Sequence, residues 1–517
     1  MRPNGGVNYF ERMYTVTIII DHQMKRLSPL FLISLVLLCC SRKEETTTTA
    51  TNLIQVENLK PGTTDWIIDV PFDTCAYPDH QNCRREKIEG YCSATSVEAG
   101  DSLHIYVSTN PATAYTLDIF RMGYYGGKGG RLMQSHILEG TPQATPEPDL
   151  RTNFLECDWD AAVSFAVPDD WLSGVYLGKL TTKLDSSQAY VVFIVRDDRP
   201  ADFIFQCSDL TWQAYNRWPQ WHSMYDEGHR PWVNTNGVRI SFDRPYSLYV
   251  NNLPSDFNPL SNGGGEFLLW EFPLAFWMEK EGYDVTYISN IDTHAQGDNL
   301  LRAKAFLSVG HDEYWTHQMF DNVRAARDSG VNLMFFSGNS VDGTVYLESS
   351  TDGRPNRVTG RLPEREFKNE QDLMGSTSYG VGYTAFVCKQ PGHWMFEGTG
   401  MQLNDSITDL VGWEYHGIPT GNVEGLQIIA QNSVPPNQFT DDVPPEHAAT
   451  FYTMPKGNFV FNAGTCFWSI PLSSPPGYQG PVCNLGRNGD RKIEYTDANR
   501  ERVRQMTKNL FERAKER

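Results

Sequence analysis

Ala305-Phe306-Leu307-Ser308-Val309, then Gly310-His311-Asp312-Glu313-Tyr314-Trp315, then Val331-Asn332-Leu333-Met334-Phe335-Phe336 is the stretch from which the fold is read. The first and last runs are short, continuous and apolar, as fully buried strands are, and His317 to Asp328 between them reads as a helix. Strands apolar on both faces and joined by helices predict a parallel sheet covered by helices on both sides. Working outward, Ala201 to Gln206, Tyr283 to Ile288 and Asn458 to Ala463 read as further strands, and Phe267 to Glu281 has helical spacing. Residues 340 to 450 are turn-rich and less regular. An α/β domain over 201–480 is expected, followed by a tail, 481–517, containing a helix.

Upstream, the period changes. Ser102 to Val107 and Tyr115 to Phe120 alternate apolar and polar residues, and the pattern returns in Ala161 to Val167, Gly174 to Leu180 and Ala189 to Val195. With no helix among them, these strands predict an Ig-like β-sandwich over 85–198. Asp197-Asp198-Arg199-Pro200 is a charged, proline-terminated joint between the two regions. The expected fold class is therefore α/β plus all-β, sandwich first.

The start of the chain carries a different signal. Met24-Lys25-Arg26 precedes the apolar run Leu27 to Leu38, which is too short to span a bilayer and ends in Cys39-Cys40-Ser41. This resembles a bacterial lipoprotein signal with Cys40 as the lipid site, so residues 1–40 are expected to be an export signal, with either Met1 or Met24 as the start. Residues 41–84, beginning with the Thr-rich run Thr46 to Thr51, are expected to be a tether and a cysteine-containing segment. The expected location is the periplasm or surface of a bacterium, tethered to the membrane by that lipid. Export permits disulfides, and the crowded Cys75, Cys83 and Cys92 are expected to form structural bridges rather than a zinc site. A formal net charge of -19 over 517 residues gives no positive footprint for a phosphate backbone, so nucleic acid is excluded as a partner.

In open parallel sheets, ligands bind beyond the carboxyl ends of the strands. Three strand ends carry polar residues there: Gly310 to Trp315, Ser337-Gly338-Asn339-Ser340, and Cys207 to Tyr215. His311 and Glu313 project the same way if the chain is extended after Gly310, which makes a metal pair suited to iron, manganese or zinc. Equally, Asp312 or Glu313 serves to cap the helix that begins near Thr316. No Gly-x-Ser-x-Gly elbow is present in this region, which disfavours a serine hydrolase. Cys207 is expected to be bridged or buried rather than a nucleophile. Gly263-Gly264-Gly265 lacks the spacing and lysine of a phosphate loop and reads as a flexible turn, so no nucleotide is expected.

Thr211-Trp212-Gln213-Ala214-Tyr215-Asn216, Glu281-Gly282-Tyr283-Asp284-Val285, His311-Asp312-Glu313-Tyr314-Trp315, Ser337-Gly338-Asn339-Ser340 and Gly412-Trp413-Glu414, in this order, resemble the family of the N,N-dimethylformamidase large (beta) subunit, chiefly its C-terminal domain. The likeness runs over roughly 85–475. It implies a glutamine-amidotransferase or flavodoxin-like α/β domain, and an amide hydrolase with one mononuclear Fe(III) held by two tyrosines and a glutamate. By that likeness Glu313, Tyr215 and Tyr176 are the metal ligands, His311 stands beside the metal, Asn339 orients the substrate and Glu414 is the acid/base. Asp312 stands where the family pattern often has proline.

The resulting expectation is an iron-dependent hydrolase of amide or C–N bonds, acting on a small-molecule amide or a surface-derived substrate, with an oligomer allowed. Two alternatives differ in class. A non-haem iron oxygenase would use His311 and Glu313 but lacks a clear second histidine. A non-catalytic glycan-binding surface lipoprotein would use the aromatic-rich segment Trp212 to Trp232.

Overall fold

The computed structural model describes residues 51–69, 84, 86–226, 238–247, 262–362, 370–436, 445–484 and 490–516. The export signal with Cys39 and Cys40, together with Cys75 and Cys83, lies outside them. Residues Ala50–Arg517 form one compact unit, and strand outweighs helix throughout it.

Part of the segment expected to be a tether is helical. Helix α1 (Leu53–Asn58) starts at an Asn52 cap and docks on the body, with Asn52 Nδ2 donating to Gly282 O at 2.9 Å. Beyond it come β1 (Ile88–Cys92), β2 (Ser96–Val97), β3 (Ser102–Thr109), β4 (Thr113–Met122), β5 (Gly130–Gly140), β6 (Ala161–Ala166), β7 (Gly174–Thr182) and β8 (Gln188–Val195). They make two sheets, β1-β3-β6 and β2-β8-β7-β4-β5. The alternation seen in the sequence puts Leu103, Ile105 and Val107 of β3 in one core with Leu117 and Ile119 of β4 and Val191 and Phe193 of β8.

The second region runs β9 (Ala201–Cys207), α2 (Asp209–Tyr215), β10 (Arg239–Ser241), α3 (Phe272–Glu281), β11 (Val285–Ser289), α4 (Asn290–Ala295), β12 (Ala303–His311), β13 (Tyr314–Trp315), α5 (His317–Ser329), β14 (Asn332–Gly338), β15 (Gly343–Glu348), β16 (Val358–Arg361), α6 (Glu370–Met374), β17 (Thr377–Val381), β18 (Thr384–Val387), β19 (Ser406–Val411), β20 (Glu414–Gly417), β21 (Gln427–Ser433), β22 (Glu446–Thr453), β23 (Phe459–Asn462) and α7 (Asp497–Lys515). Strands β11-β9-β12-β14-β23 are mutually parallel neighbours. Numbered by their own chain order this is 2-1-3-4-5, and the order reverses between β9 and β12.

The sheet is mixed, however, and not purely parallel. Beyond β23 it continues into antiparallel β22, β20 and β17, with β21 also on β22. These strands come from the stretch read as irregular. The turn from β22 to β23 is closed by Met454 N donating to Asn458 O at 2.7 Å, and so short a connection joins only antiparallel strands. An apolar run reports burial and not the direction of its partner.

Both faces are covered. Ala305, Leu307 and Val309 of β12 pack with α3 and with Val503, Leu510 and Phe511 of α7, while Phe306 packs with Leu210 of α2 and Met319 and Val323 of α5. The segment expected to be a tail thus closes the core. Helix α5 is capped by Thr316, whose side chain accepts from Met319 N, and ends at Gly330; Asp312 and Glu313 are not its caps. The single helix expected over 267–281 is a π turn, Phe267–Glu271, followed by α3. Pro273 sits in the first turn of α3 and has no N–H to donate to the turn before it. Cys92, Cys157, Cys207, Cys388 and Cys466 are buried free thiols, so Cys92 is not in a bridge and Cys207 is the buried thiol of its two expected states. Among the described residues no helix is long and apolar enough to cross a membrane.

Candidate metal centre

The switch between β9 and β12 is where this sheet brings its polar strand ends together. β12 closes on Gly310-His311, with His311 still in register opposite Gly338 of β14. Gly310 has φ +73, and a Cβ there would lie 2.4 Å from Trp270 Cβ, so only glycine lets the strand end pack this closely on the π turn. Just beyond, the Thr211 hydroxyl of α2 accepts from Glu313 N at 3.0 Å and from Tyr314 N at 3.2 Å. The backbone is thereby held with His311 and Glu313 on one side and Asp312 on the other.

Asp312 is a brace. Its Oδ2 accepts from Gln206 Nε2 at 2.7 Å and Ser308 Oγ at 2.8 Å, and its Oδ1 from Asn290 Nδ2 at 3.0 Å. Every lone pair it needs is met by the surrounding strand ends, which ties β9, α4 and β12 to one another. The Asp312 carboxyl is committed to structure, away from the centre.

On the other side, His311 Nε2 lies 2.6 Å from Glu414 Oε2 and 3.3 Å from Glu313 Oε2. A ligand atom from each of these three residues falls within 4.8 Å of the other two. Glu414 comes from the start of β20, so the antiparallel part of the sheet completes the cluster. Tyr215, the last residue of α2, donates to Glu313 Oε2 at 2.6 Å. The Tyr225 hydroxyl meets Tyr215 Oη at 2.9 Å and Glu313 Oε1 at 3.2 Å, and also contacts Tyr314 Oη. Arg361, at the end of β16, reaches Tyr314 Oη, and its guanidinium lies 4.2 Å from the centre of the Tyr225 ring. Trp413 packs edge-on to His311 at 5.0 Å.

Burial sets the electrostatics. The His311 side chain is fully buried and Glu313 and Glu414 nearly so. Burial alone would pull the imidazole down, but the Glu414 charge, with Glu266 and Glu313, holds it well above its usual value. Glu414 is raised by the loss of water around it, partly offset by His311 and by a hydrogen bond from Asn339. Glu313 is lowered despite burial, because His311, the Tyr215 hydroxyl and Arg361 all favour its anion. The Tyr215 phenol is pushed far up by burial and by Glu313.

Of the residues singled out from the sequence, His311, Glu313, Tyr215 and Glu414 meet here, and Asn339 stands beside Glu414 with a left-handed backbone, φ 51, and a hydroxyl contact from Ser378. Tyr176 does not join them. Its ring is stacked on Trp171 at 4.9 Å and Phe193 at 5.3 Å in the core between the two upstream sheets, and its hydroxyl donates to Leu172 O at 2.8 Å. Its alternation on β7 placed it inward, where packing alone accounts for it. Tyr225, Tyr314, Arg361 and Glu266 are the residues the sequence reading missed. Tyr314 is next to Glu313 and was within sight, whereas Tyr225 sat in a segment read for its aromatic content. Trp212 and Trp218 of that segment are buried and offer no exposed platform.

The donor set fits a metal ion. Glu414 Oε2 and His311 Nε2 are buried without hydrogen-bond geometry to any partner, although carboxylates surround the ring. Atoms gathered this closely yet not hydrogen-bonded are what a shared cation would satisfy. Carboxylate, imidazole and phenol oxygen are donors for a first-row metal.

Residues 116–480, well over half of the chain, match the family described as N,N-dimethylformamidase beta subunit-like, C-terminal. Two curated relatives, the N,N-dimethylformamidase beta subunits of Alcaligenes sp and Paracoccus aminophilus, are each 25% identical over 215 residues, covering 36% of this chain and 28% of the relative. The matched stretch spans little more than a quarter of those relatives.

Proposed function

Because the chain belongs to the N,N-dimethylformamidase beta subunit-like family, we propose that it is a metal-dependent hydrolase of linear amide or other C–N bonds. The observation that carries this is the convergence of His311, Glu313 and Glu414 within 4.8 Å, ringed by the hydroxyls of Tyr215 and Tyr225.

Glu313 and Tyr215 would hold the ion, with the Tyr225 phenol, rather than Tyr176, as the second tyrosine. Two phenol oxygens beside a carboxylate favour Fe(III) among the first-row metals. A bound ion of this kind polarises an amide carbonyl and acidifies water. The protein's own groups account for the protons. Glu414, raised by burial, is suited to take a proton from water at Oε2 and return it to the departing amine nitrogen, with His311 Nε2 at 2.6 Å stabilising the anionic form. Asn339, bonded to that carboxylate, orients it. The net change is amide plus water to carboxylate plus protonated amine. A flavodoxin-like origin for the parallel strands agrees with their 2-1-3-4-5 order, and an Ig-like origin for the upstream sheets with their facing arrangement.

The oxygenase reading wants a second histidine, and among the described residues the cluster holds His311 alone. His416 Nε2 accepts from Ser340 N at 2.9 Å while its Nδ1 faces Asn462, and His447 faces Ala463 O, so neither imidazole turns to His311. Metal analysis of the purified chain, with a visible phenolate-to-iron band, tests the main reading. No bound metal, or hydrolysis undiminished in Glu313→Ala, would end it. We also infer from Leu27 to Ser41 that the protein is exported and lipid-tethered at Cys40; Cys40→Ser should move it from the membrane to the soluble fraction.

A further inference from the structure

We infer that Glu266 is a positioning residue: its carboxylate holds the His311 imidazole at Nδ1 and so commits Nε2 to Glu313 and Glu414. The consequence for metal binding rests on the reading of the centre given above; the geometry stands apart from it.

Glu266 Oε2 lies 3.8 Å from His311 Nδ1. Glu266 is 1% exposed, and both its oxygens, like Nδ1, have no hydrogen-bond partner. An imidazole N–H and a carboxylate left facing each other in a dry site satisfy each other with a small closing movement, and apart each would bear its full desolvation cost.

The chain is shaped to place this carboxylate. Gly263, at φ +80, would put a Cβ 2.1 Å from Tyr190 O, and Gly265, at φ +63, would put one 2.6 Å from the Trp212 ring. The glycine run that looks like a flexible turn is therefore a close-packed strap, pinned to β8 by Tyr190 N donating to Asn262 O at 2.8 Å. It delivers Glu266 to the start of the π turn, whose other carboxylate, Glu271, is locked by Ser208 N at 3.1 Å and Trp212 Nε1 at 3.0 Å. Trp270 of the same turn packs on Gly310, beside His311. One carboxylate anchors the turn, and the other is aimed at the ring. Single π turns inside helices recur at functional sites, and a carboxylate behind a site histidine fixes its orientation.

The test uses the full chain and two variants. In the metal-free wild type, nitrogen-15 NMR of the His311 ring, assigned with His311→Gln, should show Nδ1 protonated. Glu266→Leu, which removes the acceptor, should lose that signal and weaken Fe(III) binding, followed by the phenolate band, on the order of 10- to 100-fold, with no fall in thermal midpoint. Glu266→Gln keeps one acceptor oxygen and should regain part of both. A merely structural glutamate would lower the midpoint and leave the ring signal unmoved. A bare Nδ1 in the wild type, or wild-type signal and iron affinity in Glu266→Leu, overturns the inference. If the wild type binds no iron, the metal reading fails, and the ring resonance still decides the role of Glu266.

Discussion

His311 Nε2 and Glu414 Oε2 stand 2.6 Å apart, although one closes β12 in the parallel part of the sheet and the other opens β20 in the antiparallel part. The pair joins two halves of a mixed sheet at one buried point. If Glu414 carries the proton between water and amine, Glu414→Gln should keep the bound metal and lose about 10²- to 10⁴-fold in kcat/KM. Metal content and steady-state rates on a linear amide that the wild type hydrolyses, measured side by side, check it; metal lost together with activity would make Glu414 a ligand instead.

The tyrosines divide by position. Tyr215→Phe and Tyr225→Phe should each shift or abolish the phenolate-to-metal band, since their hydroxyls meet at Glu313. Tyr176→Phe should leave the band untouched and cost about 1 kcal/mol of stability through its lost hydrogen bond to Leu172 O. A band that moves in Tyr176→Phe would restore it as a ligand.

Gly310 tests the packing beneath the centre. Gly310→Ala puts a methyl group where Trp270 Cβ already sits, at a positive φ. Left-handed strain and overpacking together should cost about 2–5 kcal/mol. Denaturant unfolding measures this, and the displaced His311 should lower metal affinity in the same variant.

A pH effect is expected away from the centre. Burial pushes His447 down to about 4, so between pH 6.5 and 4 the unfolded chain binds the proton that the folded chain refuses. Stability therefore rises with pH through that window and falls on acidification, by about 2 kcal/mol from this residue between pH 6.5 and 5. Urea unfolding at the two pH values should show the fall, and His447→Gln should reduce it by that amount, leaving the part due to His416 and His393, which burial also pushes down to about 4. A loss equally steep in the variant would assign the effect elsewhere.

Much of this was legible in local sequence. Period-two alternation from Ser102 to Val195 and the apolar runs at 201–206, 305–309 and 331–336 report which faces are buried, because side-chain direction along a strand is a local property. Glycine followed by polar residues after an apolar run marked His311, Glu313 and Asn339 for the same reason. Strand direction beyond β23, the π turn at Phe267 and the second tyrosine were not legible. Each depends on what arrives from far away in the chain.

The amino-acid sequence by itself determined the strand–helix alternation, the strand-end location of the centre and, through its likeness to a family, Tyr215, Glu313 and Glu414 as its residues. Only the tertiary structure decided that Tyr225 stands in the centre and Tyr176 in the upstream core, that Asp312 braces while His311 faces Glu414, and that Glu266 lies behind the ring. Local pattern states what a residue's neighbours along the chain require; which carboxylates and phenols share a dry cavity is settled by packing between segments that the chain brings together only when it folds.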